Sequence, residues 1–281
     1  MDLNPLLIGE RINVITTRMR KAMDDRDAGP IQEMAVKQVA GGANMLDINI
    51  GPAEDDPEVM PWLVETVQAV VEVPLSLDTT NPHAMELGLQ AHKNDWGLPV
   101  INSCSGEEVR LNTFMSLAAK YESNIIGLTL GRVGLPRDAN ERAAIAVDIM
   151  GKAMELGVPV ENIILDPLAM TVKGNQDQSM HVIETIQMFQ DLNDPPMMSI
   201  VGLSNIVNMC PTHMKSLLTA VYWTLLREAG LTGAIVDPLE EEYMQVVRGT
   251  PPEEVFGADH VAKTRRMFKG EIMFADSYLD L

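Results

Sequence analysis

The sequence has few cysteines, few cationic side chains and no long apolar run. Two cysteines among 281 residues do not make a disulfide framework. The apolar runs stop short of the roughly 18 residues that a bilayer span needs, so we expect no membrane contact. The net charge is −19, from 40 acidic and 21 basic side chains. Such an acidic surface repels phosphate backbones, which disfavours nucleic acid as a partner.

The amino-terminal stretch lacks the basic segment and the cleavage site of a secretory signal, and we therefore expect a cytoplasmic protein. Histidine and cysteine are too scattered to predict a metal site. Cys210 and His213 lie together in the sequence CPTH, but zinc needs three or four ligands. Neither cysteine has a histidine base at motif spacing, which disfavours a thiol nucleophile. We expect no bound metal.

Eight apolar runs alternate with helical patterns along the chain. A continuous run of Val, Ile and Leu is typical of a parallel strand buried on both faces. Eight such strands separated by helices predict an α/β protein with a closed (β/α)8 barrel. An open doubly wound sheet is the alternative, but no run is followed by the Gly-x-Gly-x-x-Gly turn. The runs cover residues 6–13, 45–52, 73–81, 98–106, 124–132, 162–170, 198–206 and 233–241.

The length of the chain suits one barrel, which takes about 250 residues. No linker or low-complexity stretch divides the sequence. We therefore expect a single domain over residues 1–281, in which residues 249–281 cap the barrel or form an oligomer contact.

Most of the apolar runs end in a polar side chain, usually Asp or Asn. Because the active sites of such barrels lie at the carboxyl ends of the strands, these side chains should converge on one mouth. They supply carboxylates and amides rather than His or Cys, which favours a flat heterocycle with hydrogen-bond donors over a metal ion. The predicted ring is Asn13, Asp47, Asn49, Asp78, Asn102, Asp166, Asn205 and Asp237.

Three residues of this ring have the chemistry to hold a pterin ring by its edge. Asp78 ends the third run, Asn102 the fourth and Asp166 the sixth. Carboxylates accept hydrogen bonds from the pterin amino and ring N–H groups, and an amide both donates and accepts. The alternative for each Asp is a helix cap or a bond to a loop amide. We favour that alternative for Asp237, because an acidic run follows it.

The seventh run ends in the sequence GLSN, residues 202–205. Asn205 can donate a hydrogen bond to a ring nitrogen, and Gly202 would let a flat ligand approach the backbone. We include Ser204 of the same sequence in the predicted pocket, and also Asn208, one turn further on. A turn-forming Asn before a helix is the alternative for Asn205.

The motifs at the ends of the runs resemble those of the pterin-binding methyltransferase barrels, in the same order along the chain. That family includes the methyltetrahydrofolate:corrinoid/iron–sulfur protein methyltransferase and the folate domain of cobalamin-dependent methionine synthase. The resemblance implies that Asp78, Asn102 and Asp166 hold the pterin, and that Asn205 is the catalytic residue, contacting N5. The motifs are GERIN (9–13), GGANMLDINIGP (41–52), LSLDTTN (75–81), VINS (100–103), ILDPL (164–168) and GLSN (202–205).

The resemblance also implies a reaction and a partner. The expected reaction moves a methyl group between N5 of tetrahydrofolate and the cobalt of a corrinoid, so tetrahydrofolate and 5-methyltetrahydrofolate are the substrates. The chain has no Asp-x-His-x-x-Gly cobalamin motif. The corrinoid (cobalamin) must therefore be carried by a separate protein that docks over the mouth. We also expect a homodimer.

Two alternatives share the predicted pocket. A dihydropteroate synthase would use the same barrel, but it has Arg and Lys where this chain has Asn205 and Ile206. A reaction that expels pyrophosphate needs such cations, so this alternative is disfavoured. The other alternative is a non-catalytic folate-binding subunit of a methyltransferase complex.

Overall fold

The computed structural model describes residues 5–132 and 134–280 of the chain. Eight parallel strands close into a barrel in which each strand pairs with the next, and β8 pairs with β1. The predicted barrel is therefore confirmed. The strands are β1 Leu6–Asn13, β2 Met45–Gly51, β3 Leu75–Thr79, β4 Val100–Ser105, β5 Asn124–Leu128, β6 Ile163–Asp166, β7 Met198–Gly202 and β8 Gly233–Val236.

Helices connect the strands and cover the outside of the barrel. Side-chain caps start three of them, because Asp27, Asn81 and Asp138 accept hydrogen bonds from backbone N–H groups of the first turns of α2, α4 and α6. The helices are α1 Thr17–Asp24, α2 Ala28–Ala40, α3 Val59–Gln68, α4 Pro82–Ala91, α5 Glu108–Tyr121, α6 Ala139–Leu156, α7 Gln176–Phe189, α8 Thr212–Glu228, α9 Glu241–Val247, α10 Pro252–Phe256 and α11 Ala258–Phe268. Within the described part of the chain, none of them has the length and apolar composition of a bilayer span.

The interior of the barrel changes from apolar to polar along the strands. Its apolar layer is a separate cluster of buried side chains, Leu6, Ile8, Met45, Val100, Ile126, Ile164 and Ile200. Side chains two residues apart on a strand point to the same face. The next inward positions are therefore polar on four strands: Glu10 after Ile8, Asp47 after Met45, Asn102 after Val100 and Asp166 after Ile164.

The carboxyl-terminal extension packs on the outside of the barrel. The ring of Phe268 in α11 lies 4.7 Å, centroid to centroid, from that of Tyr222 in α8. The amide of Gln176, the first residue of α7, donates to the carbonyl oxygens of Met267 and Ile272. The described part of the extension therefore covers the α7–α8 side of the barrel. Residues 1–4, 133 and 281 of the predicted single domain lie outside the described residues.

The seam between β8 and β1 gives a test of the packing. A Cβ atom at Gly233 would lie 2.5 Å from the carbonyl oxygen of Leu6 and 2.7 Å from its Cβ atom. We expect Gly233→Ala to lower the free energy of unfolding by about 1–3 kcal/mol, because the strands must move apart. Gly151→Ala on α6 is the matched control. No atom lies within 4 Å of its Cβ position, so it should raise stability by about 0.5–1 kcal/mol.

Denaturant unfolding of both variants measures the difference. Equal effects of the two substitutions would contradict the close packing of β1 against β8.

Candidate active site

Asp78 and Asn102 lie side by side at the mouth of the barrel. In the strand register Asp78 of β3 is paired with Asn102 of β4 on one side and with Asn49 of β2 on the other. The Asn49 side-chain amide donates a hydrogen bond to Oδ2 of Asp78. The structure thus brings together two of the three residues predicted to hold the pterin, with Asn49 supporting one of them.

Asp47 lies one layer deeper and orients Asn102. Its Oδ1 accepts hydrogen bonds from Nδ2 of Asn102 at 2.9 Å and from Oγ of Ser76 at 2.7 Å. With its NH2 group directed at Asp47, Asn102 presents its amide oxygen as an acceptor to a ligand. Asp47 is buried, so its position suits an orienting role more than direct contact with a ligand.

Asp166 ends β6, two strands away from Asn102 around the barrel. Its Oδ1 accepts a hydrogen bond from the backbone N–H of Leu168 at 2.7 Å. Among the hydrogen bonds of the described residues, none is made to Oδ2 of Asp166. One carboxylate oxygen is thus held by the following turn, and the other has its hydrogen-bonding capacity left for a ligand.

Burial raises the pKa of four carboxyl groups around the mouth. It brings the pKa of Glu10 to about 7 and that of Asp166 to about 7. Burial also raises the pKa values of Asp47 and Asp78, and the negative charge of Asp47 adds to the increase at Asp78. A ligand that presents N–H donors would stabilise the ionised forms of these groups.

Asn205 follows β7 on a short 3-10 turn, Leu203–Val207, and its side chain is exposed. A Cβ atom on Gly202 would lie 2.8 Å from Nδ2 of Asn205. The space over Gly202, predicted to admit the ligand, therefore holds the Asn205 amide instead. The glycine is needed here because any larger residue would displace the predicted catalytic side chain.

Glu10 is the site residue that sequence reasoning missed. Oγ of Ser204 donates a hydrogen bond to Oε2 of Glu10 at 2.9 Å, which links β1 to the turn after β7. Both line a cavity of about 210 Å³ between α8 and the loop after β8, with Asn208 and Asp237 among its walls. The period of two from Ile8 points to Glu10, whereas the end of the apolar run pointed to Asn13.

The other predicted residues at the mouth are occupied by their own loops. The Asn13 amide donates to the carbonyl oxygen of Glu10 at 2.7 Å and accepts from the N–H of Thr16 at 3.1 Å. Asp237 forms an ion pair with Arg11 at 3.0 Å and accepts from the N–H of Leu239 at 3.1 Å. Asp237 is thus a loop residue, as its acidic context indicated.

The cysteines are shielded from solvent, which disfavours their reaction as nucleophiles. Both Cys104 and Cys210 are free and buried, and burial raises the pKa of the Cys104 thiol to about 12. In residues 5–132 and 134–280 no group of three or more His, Cys, Asp and Glu side chains has the arrangement of a metal site.

A family model described as pterin binding enzyme matches residues 9–237 of the chain. The chain belongs to the pterin-binding enzyme family. The match runs from the GERIN motif of β1 to Asp237 after β8, so it includes each strand end that forms the mouth. The resemblance inferred from the strand-end motifs is confirmed.

Two characterised relatives fit this membership. The methylcorrinoid:tetrahydrofolate methyltransferase of Eubacterium limosum is 24% identical over 261 residues, which are 92% of this chain and 93% of that protein. The methionine synthase of Mycobacterium tuberculosis is 29% identical over 246 residues, or 84% of this chain. This chain spans only 20% of that synthase, so the similarity concerns one region of it.

Solved structures of dihydropteroate synthases share the barrel. The enzyme from Xanthomonas albilineans in complex with 7,8-dihydropteroate superposes with a TM-score of 0.65 at 17% identity, covering 88% of this chain and 95% of that one. The Yersinia pestis enzyme gives a TM-score of 0.61 at 17% identity, covering 87% and 92%. At this identity the similarity shows the fold alone.

The raised pKa of Asp166 predicts a pH-dependent change in stability. Because its pKa of about 7 exceeds the value of about 3.9 expected in the unfolded chain, the folded state binds more protons between these values. The contribution of Asp166 to stability is therefore full below about pH 4 and is lost as the pH rises to about 7. Asp166→Asn removes this loss. We therefore expect the stability of the ligand-free variant, relative to that of the wild type, to be greater at about pH 8 than at about pH 5.

Thermal unfolding of both proteins at the two pH values measures this gain. Asp148→Asn, at an exposed position on α6, is the control, and it should show a much smaller change. If the stability difference between Asp166→Asn and the wild type were the same at both pH values, the pKa of Asp166 would not be raised in the folded protein.

Proposed function

We propose that this protein transfers a methyl group between N5 of tetrahydrofolate and the cobalt of a corrinoid carried by a separate protein. The observation that carries the proposal is the arrangement of Asp78, Asn102 and Asp166 as three acceptors around one mouth. The membership of the pterin-binding enzyme family and the methylcorrinoid:tetrahydrofolate methyltransferase of similar length support it.

The three acceptors match the hydrogen-bond donors of a reduced pterin. A tetrahydropterin presents its amino group and its ring N–H groups along the edge of one plane. Asp78 and Asp166 accept from such donors, and the oxygen of Asn102 accepts a further one because Asp47 holds its NH2 group. Charge-assisted hydrogen bonds of this kind are short and strong, and they stabilise the ionised carboxylates that burial disfavours.

Asn205 has the chemistry to act on N5. When a methyl group leaves N5 for cobalt(I), the N5–C bond breaks and N5 takes a proton. N5 leaves poorly unless it is protonated or accepts a hydrogen bond. The exposed Asn205 amide, held over Gly202, can donate to N5 and bind it more strongly as negative charge develops there. This is stabilisation of the transition state over the ground state.

The charges around the mouth do not suit dihydropteroate synthesis. A leaving pyrophosphate needs cations, and here Asn205 and Ile206 follow Ser204 after β7. The adjoining cavity has Lys215 on one wall, but Glu10, Asp237 and Glu240 also line it. Such a cavity repels a diphosphate group.

A separate corrinoid protein would meet an apolar rim around the mouth. A corrinoid is too large for the pterin pocket, so its cobalt must be presented from above. At that end of the barrel three loops carry the exposed apolar side chains Ile15, Leu135 and Met209, and the first turn of α5 carries Val109. We infer that the corrinoid protein docks over these side chains.

The finer features of the proposal concern assembly, location and cofactors. We infer a homodimer, as the resemblance to the pterin-binding methyltransferases implies. Residues 1–281 would form one domain, with residues 249–281 as a cap or contact extension of the barrel. The protein would act in the cytoplasm and hold no metal of its own. The substrates are tetrahydrofolate and 5-methyltetrahydrofolate.

Mixing the protein with 5-methyltetrahydrofolate and cobalt(I) cobalamin tests the reaction. We expect the absorption spectrum to change to that of methylcobalamin, at a rate proportional to the protein concentration. Asp148→Asn, remote from the mouth, should react like the wild type. Tight folate binding without conversion would support the folate-binding subunit. Release of pyrophosphate in the presence of a dihydropterin diphosphate and p-aminobenzoate would support the synthase.

Asn205→Ala tests the catalytic role. We expect the single-turnover rate of methyl transfer to fall by up to about 10²-fold, because one preorganised donor is lost. The folate affinity should fall by a smaller factor, since the contact strengthens mainly in the transition state. Asn193→Ala, in the loop before β7 at the opposite end of the barrel, is the matched control.

Rapid-mixing kinetics and calorimetry on the same preparation separate the two effects. Equal losses in rate and affinity would make Asn205 a binding residue only. No loss in either would remove it from the site.

A further inference from the structure

A buried arginine lies beneath the loop that carries Asp166. Arg142 of α6 is fully buried, although its side chain is charged. Its guanidinium donates to the carbonyl oxygen of Pro167 at 2.7 Å, to Oε1 of Gln178 at 2.9 Å and to the carbonyl oxygen of Asp138 at 3.3 Å. All three acceptors are neutral. These contacts therefore hold the guanidinium in place without neutralising its charge.

The contact with Pro167 fixes the turn that follows β6. Pro167 comes directly after Asp166, and the next residue, Leu168, has a φ of +62°. A leucine rarely adopts this left-handed conformation, which persists only where its surroundings impose it. The N–H of Leu168 in turn donates to Asp166. Arg142 thus supports, through the backbone, the turn that orients the Asp166 carboxylate.

The charge of Arg142 acts on the same carboxylate. Burial raises the pKa of Asp166, and the nearby positive charge of Arg142 opposes that increase. The other ionisable groups close to Arg142 are Asp138 and Glu141 at the start of α6 and Tyr222 of α8. Burial raises the pKa of the Tyr222 hydroxyl far above its usual value, so this group is neutral.

We propose that Arg142 is a positioning residue for pterin recognition, which holds the turn after β6 in the shape that aims the Asp166 carboxylate at the ligand. The inference rests on the proposed function, because it takes Asp166 as a contact of the pterin. Arg142 itself lies under the loop and acts only through Asp166. Its loss should therefore affect folate binding only while the carboxylate is present.

A double-mutant cycle separates this role from a general effect on the fold. Calorimetry measures the affinity for 5-methyltetrahydrofolate as a function of pH in the wild type, Arg142→Gln, Asp166→Asn and the double variant. We expect Arg142→Gln to weaken binding near neutral pH by about tenfold, the equivalent of one pKa unit. The pH at which binding is half lost should move upward. In the Asp166→Asn background the same change should have almost no effect.

Three further variants serve as controls for misfolding and for nonspecific effects of charge. Arg142→Lys keeps the charge and should restore part of the affinity. Gln178→Glu leaves Arg142 in place but puts a carboxylate beside its guanidinium, so it should move the pH midpoint in the same direction even if Arg142→Gln fails to fold. Arg137→Gln, which removes an exposed cation at the edge of α6, should leave the pH profile unchanged.

The outcomes distinguish the inference from the function on which it rests. If the wild type does not bind 5-methyltetrahydrofolate, the proposed function fails. If the wild type binds it but Arg142→Gln and Asp166→Asn lower the affinity independently, or Gln178→Glu leaves the pH profile unchanged, the positioning role of Arg142 is overturned.

Discussion

The mouth of this protein depends on the alternation of side chains along closed parallel strands. Inward positions recur every second residue along a strand. The residue two positions after a side chain of the apolar layer therefore also points inward, one layer closer to the mouth. Ile164 and Asp166 stand in this relation on β6, as do Val100 and Asn102 on β4. The closed hydrogen bonding of eight strands holds these positions in fixed register. The acceptors are thus placed by the barrel and not by mobile loops.

Placing carboxylates above an apolar layer has an energetic cost that the ligand would relieve. Burial favours the protonated forms of Asp166 and Glu10, so ligand-free protein carries part of these groups as neutral acids at neutral pH. Donors on a bound pterin would restore their ionised forms. The ligand-free protein is therefore less stable than it would be with amides in place of these carboxyl groups, as is common at functional sites.

The fold and the positions of Asp78, Asn102 and Asp166 on the strands could be predicted from the sequence because each signal is local. Asp78, Asn102 and Asp166 end apolar runs, and the run determines where the strand ends. Glu10 was missed because it lies within β1 and not at its end, and only the period of two from Ile8 marks it as an inward position. Arg142 was missed for another reason. Its partners lie 25 and 36 residues away in the chain, and no helical pattern reports contacts of that kind.

The proposed methyl transfer also requires a proton to be delivered to N5 or removed from it. In the proposed reaction N5 gains a proton when it loses the methyl group and releases one when it receives it. Asn205 is neutral and gives up no proton at physiological pH, so in the proposed reaction the proton comes from solvent or from a titratable group near the mouth. In the ligand-free protein burial brings the pKa of Glu10 to about 7, near the pH at which an acid and its base are equally populated. Glu10 also reaches the turn of Asn205 through Ser204. A carboxyl group with such a pKa, beside the turn of Asn205, would suit proton exchange in either direction of the proposed transfer.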